Sequence, residues 1–173
     1  MYNWLITDLT ANLQDWTVVY FHRPPYSKGS HDSDLTNSRM AKLRENFVPV
    51  FEMFGVDLVF SGHSHAYERS YPILGHYGTS DTFLEVMKSD SGDGRLDGDG
   101  DYRKAYGDNS YGAIYTVAGS SGKSGGGALN HSAHYISMDE LGSVVLDFDG
   151  DVVDVTFVSP NPDAVDYYRV TKF

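Results

Sequence analysis

The chain has 173 residues, which is enough for one domain with a substantial core but not for two full domains. Acidic residues outnumber basic ones by 24 to 13, and a formal net charge of −11 disfavours general binding to nucleic acid or to anionic lipid. Because the sequence contains no cysteine, disulfides and thiolate metal sites are excluded, and a bound metal must use nitrogen and oxygen ligands.

The first elements alternate between helix and strand. The segment NWLITDLTANL (3–13) has apolar residues at helical spacing and predicts a short amphipathic helix. The segment WTVVYFH (16–22) is β-branched and aromatic and predicts a buried strand that ends at His22. Arg23 and two prolines then stop the strand and begin a polar loop that runs to Ser38.

A second helix and two more strands follow. The segment RMAKLRENFVPVFEMFG (39–55) predicts a helix with a kink at Pro49. Its predicted core stripe consists of Met40, Leu43, Phe47, Val50 and Phe54. The segment VDLVFSG (56–62) predicts a second buried strand, parallel to the first, and AYERSYPIL (66–74) predicts a third. This alternation indicates an α/β fold.

The remainder of the chain reads as a long loop followed by strands. Between about residues 75 and 110 the sequence is rich in Gly and Asp, as expected for a loop. The segments AIYTVAG, GSVVLDF and VVDVTFV then predict short strands, while ALNHSAHY (128–135) is interpreted as a loop. We therefore expect a single domain over 1–173, of mixed α/β and α+β character.

Three histidines follow the first two strands. His22 ends the first strand, and His63 and His65 follow the second, in Gly62-His63-Ser64-His65. The carboxyl ends of parallel strands meet at one edge of a sheet, so three imidazoles could converge there on a metal. A glycine at position 62 would leave room around that site. For any single histidine, an ordinary hydrogen-bonded role is the alternative.

These residues also carry a family resemblance. The segments VVYFHRPPYSKGSH (18–31) and GVDLVFSGHSHAYERS (55–70) resemble the last two motifs of the calcineurin-like metallophosphoesterases, in the purple acid phosphatase branch. The resemblance implies a helix-flanked β-sandwich, of which this chain would be the C-terminal half of the catalytic domain. It also implies hydrolysis of a small phosphoester by water activated at a centre of Zn, Mn or Fe.

The resemblance also assigns roles to individual residues. His22 and His63 would bind one metal ion and His65 a second, while His31 would contact the phosphate or protonate the leaving oxygen. A solvated loop residue is the alternative for His31. Glu68 and Arg69 are expected to form a structural pairing that braces the loop. His76, His131 and His134 match no ligand position of the family.

Three further motifs of the family, Asp-x-His, Gly-Asp-x-x-(Asp/Tyr) and Gly-Asn-His-(Asp/Glu), are not found before His22. Two alternatives to the phosphoesterase therefore stay open. One is an inactive remnant that binds metal or phosphate, and the other is a hydrolase of small esters that uses one zinc ion. An apolar sheet surface left uncovered by the absent motifs would favour a homo-oligomer, most simply a dimer.

The acidic stretch DSGDGRLDGDGDY (90–102) is a second candidate metal site, for calcium. Asp97, Asp99 and Asp101 alternate, and calcium takes several carboxylate and carbonyl oxygens. The spacing does not match a helix-loop-helix calcium loop, because Tyr102 stands where glycine is required. An irregular calcium loop and a solvated acidic loop remain as alternatives. No membrane span and no signal peptide are visible in the sequence, which leaves its compartment undecided.

Overall fold

The computed structural model describes residues 1–163 and 165–173 as three layers, with two helices on a five-stranded sheet and a four-stranded sheet behind it. The helices are α1 (Tyr2–Ala11) and α2 (Arg39–Met53). The strands of the first sheet are β1 (Val18–Phe21), β2 (Leu58–Ser61), β3 (Tyr67–Ile73), β5 (Ala113–Ala118) and β6 (His134–Met138). Those of the second sheet are β4 (Tyr102–Lys104), β7 (Ser143–Asp149), β8 (Val152–Val158) and β9 (Asp166–Lys172).

The first sheet has the order β1-β2-β5-β3-β6. Strands β1, β2 and β5 are parallel, whereas β3 runs antiparallel to both β5 and β6. The second sheet has the order β4-β9-β8-β7, with β4 parallel to β9 and the other pairs antiparallel. The predicted mixed fold and the parallel pairing of the first two strands are confirmed.

Alternation along the central strands divides the core in two. Val59 and Tyr115 face the helices and pack with residues such as Leu9 and Phe51. Their chain neighbours point the other way, since successive strand residues face opposite sides of a sheet. Leu58 and Ile114 accordingly pack against the second sheet, on Val153, Val155, Tyr168 and Val170.

One prediction about burial is wrong and another is only partly right. The strand β1 is not buried, because it forms the edge of its sheet, and the Tyr20 side chain is 84% exposed. In the predicted stripe of α2, Met40 and Val50 are buried whereas Leu43 and Phe47 are only partly buried. The buried face also contains Arg44, Val48 and Phe51, which were not predicted. The helix continues through Pro49.

The two sheets are joined by buried ion pairs as well as by apolar packing. The Asp57 carboxylate, just before β2, lies 2.9 Å from the Lys104 ammonium on β4 and 2.8 Å from the Lys172 ammonium on β9. The Arg69 guanidinium on β3 bonds both oxygens of Asp166 on β9, at 2.7 and 2.8 Å. All five side chains are at most 5% exposed, so these charges cross-link the layers without solvent screening.

The segment between β3 and β5 contains two single 3₁₀ turns and β4 within its irregular backbone. The structure also shows three strands, β4, β6 and β9, that the sequence pattern did not predict. Part of ALNHSAHY thus belongs to a strand, since His134 begins β6. In the part of the chain described here, no helix is long and apolar enough to cross a bilayer.

Candidate active site

The carboxyl ends of β1 and β2 bring His22 and His63 together. The register pairs Phe21 with Ser61, and the Gly62 N–H donates to the His22 carbonyl oxygen at 3.1 Å. The Nε2 atom of His22 then lies 3.1 Å from Nδ1 of His63. Two nitrogen ligands of one metal ion lie at about this separation when each is about 2.1 Å from it.

His63 has a left-handed backbone, with φ of +63°. That conformation costs a non-glycine residue roughly 1 to 2 kcal/mol and is concentrated at functional sites. The neighbouring glycine is not what allows close approach, because a Cβ on Gly62 would meet only the His22 carbonyl oxygen, at an ordinary 3.9 Å. Packing among the protein atoms therefore does not require glycine at position 62, and the left-handed backbone belongs to the histidine itself.

The electrostatic surroundings keep the His63 imidazole neutral. Desolvation, together with the nearby His31 and the Arg23 guanidinium, lowers the pKa of His63 to about 4. The Arg23 Nη1 atom lies 2.8 Å from His63 Nε2. A neutral imidazole is the form that binds metal, so this environment suits a ligand.

The His31 ring lies over His63, with their centroids 3.9 Å apart. The Ser30 Oγ atom lies 3.2 Å from His31 Nδ1 and also accepts a hydrogen bond from the His65 N–H at 2.9 Å. In return, the His31 N–H donates to the buried Ser64 Oγ at 3.3 Å. The two histidine-bearing loops are thereby bonded to each other.

His65 stands apart from the other pair. Its ring centroid lies 6.3 Å from that of His31. Within residues 1–163 and 165–173, no group of three or more His, Asp or Glu side chains is arranged to hold a metal ion. The donor chemistry of His22 and His63 thus fits one ion as two nitrogen ligands, whereas the position of His65 is consistent with the separate ion that the sequence assigned to it.

The expectation that Glu68 and Arg69 together brace the loop holds for Glu68 and is wrong for Arg69. The fully buried Glu68 carboxylate accepts hydrogen bonds from Ser27 Oγ at 2.5 Å and from the Lys28 N–H at 2.8 Å. Burial opposes its ionisation, but hydrogen bonds, including that of His134, hold the pKa of Glu68 below its usual value. Glu68 therefore fixes the base of the loop that carries His31, whereas Arg69 binds the second sheet.

Glycines of the segment 119–127 pack tightly on the same loops. A Cβ on Gly119 would overlap the Ser64 carbonyl oxygen, and one on Gly127 would overlap the Gly29 carbonyl oxygen. The Gly125 N–H donates to the His65 carbonyl oxygen at 2.8 Å. The first part of this segment, in GAIYTVAGSSGKS (112–124), resembles the family, but no contact with the histidine loops was predicted for it, although its density of Gly and Ser was a usable signal of close backbone packing.

Two of the three histidines without a family role are buried close to each other. His76 and His131 are 1% and 3% exposed, and their ring centroids lie 6.0 Å apart. Nε2 of His131 lies 3.9 Å from Oδ1 of Asp34, and neither ring nitrogen of His76 has a hydrogen-bond partner among the described residues. His131 precedes β6, whereas His134 begins it and lies with Nδ1 3.4 Å from Oε1 of Glu68, so the predicted loop gives way to a strand only at its end.

The acidic stretch does not gather its carboxylates around a common point. Asp93 Oδ1 accepts from the Arg95 and Asp99 N–H groups, and Asp90 Oδ1 accepts from the Gly92 N–H. Asp97 Oδ1 accepts instead from the Tyr167 hydroxyl group. These carboxylates cap turns of the loop, which is the arrangement expected of a solvated acidic loop.

Comparison with known proteins supports the family resemblance over the first 67 residues. The family model described as calcineurin-like phosphoesterase matches residues 2–67, which contain His22, His31, His63 and His65. An acid phosphatase of Aspergillus ficuum is 39% identical over 84 residues, 47% of this chain and 12% of the relative. Over these residues the chain is similar to the calcineurin-like phosphoesterases, as the sequence motifs indicated.

The relatives support a resemblance to the purple acid phosphatase branch of that family. Purple acid phosphatase 18 of Arabidopsis thaliana is 36% identical over 72 residues, 40% of this chain and 16% of the relative. A purple acid phosphatase from yellow lupin seeds superimposes with a TM-score of 0.71 at 17% identity, over 99% of this chain and 28% of that one. The superposition shows a shared fold, and this chain spans only a fraction of the length of the relatives it matches.

Proposed function

We propose that this chain carries the histidine part of a metal-dependent phosphoester hydrolase. The observation that carries the proposal is the 3.1 Å separation between His22 Nε2 and His63 Nδ1 at neighbouring strand ends. Purple acid phosphatases and metallophosphoesterases use two-metal centres of Fe, Zn or Mn. Such ions polarise the phosphoryl group and activate water for in-line attack.

Four histidines would have separate roles in this reaction. His22 and His63 would hold one ion, and His65 would serve a second. His31 would act on the substrate, because Ser30 Oγ occupies its Nδ1 and leaves Nε2 free to protonate the leaving oxygen. The hydrogen bonds between the loops, together with Glu68, would hold His31 in place.

Two alternatives to phosphoester hydrolysis are distinguished by the test below. Because only two imidazole nitrogens are drawn together in the described residues, binding of metal or phosphate without turnover is favoured as the second candidate. Hydrolysis of a small carboxylic ester at one zinc ion is the third. Each predicts a different pattern of substrates.

The test is hydrolysis of three chromogenic substrates with and without Zn²⁺ or Mn²⁺: p-nitrophenyl phosphate, bis(p-nitrophenyl) phosphate and p-nitrophenyl acetate. We expect metal-dependent turnover of at least one phosphoester and its loss in H63A. Loss of the same turnover in H31N, with metal still bound, would support the role of His31. Turnover of the acetate alone would favour the esterase, and metal binding without any turnover would favour the inactive form.

A further inference from the structure

A basic cleft opens beside the candidate active site. It has a volume of about 410 Å³ and lies between the start of α1 and the first turns of α2. Its apolar wall includes Tyr2 and Phe47, whose rings meet edge to face at 5.8 Å. Three cations, Arg23, Arg39 and Lys42, complete the lining.

The cations of this cleft are unusual for so acidic a chain. Of the 13 lysines and arginines, eight form ion pairs within 4 Å: Lys28, Arg44, Arg69, Lys88, Arg95, Lys104, Arg169 and Lys172. Five therefore remain outside such pairs among the described residues, and three of those five line this one cleft. With 24 carboxylates available, this grouping leaves a local positive field for an anion.

The cleft is continuous with the site through Arg23. This residue follows the candidate ligand His22 directly, and its guanidinium lies 2.8 Å from His63 Nε2. Arg23 therefore borders both the place proposed for the phosphoryl group and the cleft. A substrate with its phosphate at the histidines would extend its leaving group past Arg23 toward Arg39 and Lys42.

We propose that this cleft is the leaving-group subsite, and that it selects phosphoesters whose apolar leaving group carries a second anionic group. The apolar wall at Tyr2, Leu43 and Phe47 would bury an aromatic or aliphatic body, while Arg39 and Lys42 would pair with a carboxylate or second phosphate. The inference rests on the proposed function, since it takes the phosphoryl group to lie at His22 and His63.

The kinetic test compares phenyl phosphate with 4-carboxyphenyl phosphate, which differ only in the second anion. We expect the double variant R39Q/K42Q to raise KM for the carboxylated substrate about tenfold and to leave phenyl phosphate nearly unchanged. The control R103Q/R169Q makes the same change in net charge on the second sheet, at β4 and β9. An equal increase in KM for both substrates, or no increase for either, would overturn the proposal.

A binding test separates failure of the subsite from failure of catalysis. The probes are benzylphosphonate and 4-(phosphonomethyl)benzoate, which cannot be hydrolysed, measured by calorimetric titration. We expect the carboxylated probe to bind about tenfold more tightly to the unmodified protein, and this preference to disappear in R39Q/K42Q. Loss of turnover with the preference intact would refute only the proposed catalysis. Absence of the preference would refute the subsite.

Discussion

His22 Nε2 and His63 Nδ1 face each other across 3.1 Å, although 41 residues separate them in the sequence. The parallel pairing of β1 with β2 produces this contact, because it aligns the last residues of both strands. His63 follows β2 with a left-handed backbone, at φ of +63°.

This pair predicts how metal binding responds to substitution. H22A and H63A should each weaken binding of one Zn²⁺ by at least about tenfold, because each removes one of two nitrogen ligands. H31N should leave that affinity unchanged, since His31 contacts the His63 ring without sharing the His22 nitrogen. Competition titration against a chromogenic chelator measures all three. Equal affinity in H63A and the unmodified protein would contradict the assignment.

The glycine segment provides a matched pair of variants. G119A should destabilise the fold by about 1 to 3 kcal/mol, because the added Cβ would overlap the Ser64 carbonyl oxygen in the histidine loop. G122A, three residues along, should be nearly neutral, since its Cβ would meet nothing within 4 Å. Urea unfolding of both proteins provides the comparison. Similar midpoints would show that the loop moves to accept the methyl group.

The buried Arg69–Asp166 pair should be sensitive to loss of one charge. D166N should lower the free energy of unfolding by about 3 to 5 kcal/mol, because it leaves a fully buried guanidinium without its counter-ion. D154N breaks a similar bidentate pair with Arg169 that is partly exposed, and it should cost less than about 1 kcal/mol. Chemical denaturation distinguishes the two, and equal costs would contradict the role given to burial.

Acid should destabilise the protein through its buried histidines. Desolvation lowers the pKa of His76 to about 4 and that of His131 to about 2, so the folded state stays unprotonated where the unfolded state takes up protons. As pH falls from about 6.5 toward 4, each such histidine should reduce the free energy of unfolding by up to about 1.4 kcal/mol per pH unit. Thermal unfolding at several pH values in this range measures how the free energy of unfolding depends on pH.

The variant H76F isolates one of these contributions. Neither ring nitrogen of His76 has a partner in the described structure, and the ring already stacks near Tyr26 and Phe83. A phenyl ring should therefore pack in its place. The free energy of unfolding of H76F should then fall less steeply than that of the unmodified protein as pH decreases from 6.5 to 4. An unchanged slope with a folded H76F protein would mean that His76 does not remain neutral in the native state.

We also propose that two copies associate through the open edge of β1. That strand pairs only with β2 among the described residues, and beside it lies a cleft of about 650 Å³ lined in part by Trp4, Trp16 and Tyr20. Unpaired strand edges with apolar neighbours favour pairing. Light scattering at micromolar concentration should report a dimer, and Y20K should shift it to monomer. A monomeric unmodified protein would contradict the proposal.

The sequence was most informative where one local signal decided the structure. Apolar runs ending in histidine located β1, β2 and the site between them, because strand ends of a parallel sheet coincide. Strands β6 and β9 were missed because HYISM and DYYRVTK mix polar and apolar residues without a clear turn on both sides. The exposure of Tyr20 depends on which strand lies at the edge, which composition does not reveal.

Contacts between distant segments could not be predicted from the sequence either. Arg69 and Asp166 are 97 residues apart, and nothing local links them. The partner of Glu68 could not be read from its neighbours either, since it lies on the loop at Ser27 and Lys28. Those choices depend on how the layers stack, which only the assembled fold specifies.

The buried charges of Asp57, Lys104 and Lys172 have a consequence for how the chain comes apart. Separating the sheets would strip three ions of their partners in a poorly hydrated interior, so neither sheet can detach alone at low cost. The loops that carry His22 and His63 and the antiparallel strands β8 and β9 should then lose protection from amide hydrogen exchange at the same denaturant concentration, as one cooperative unit.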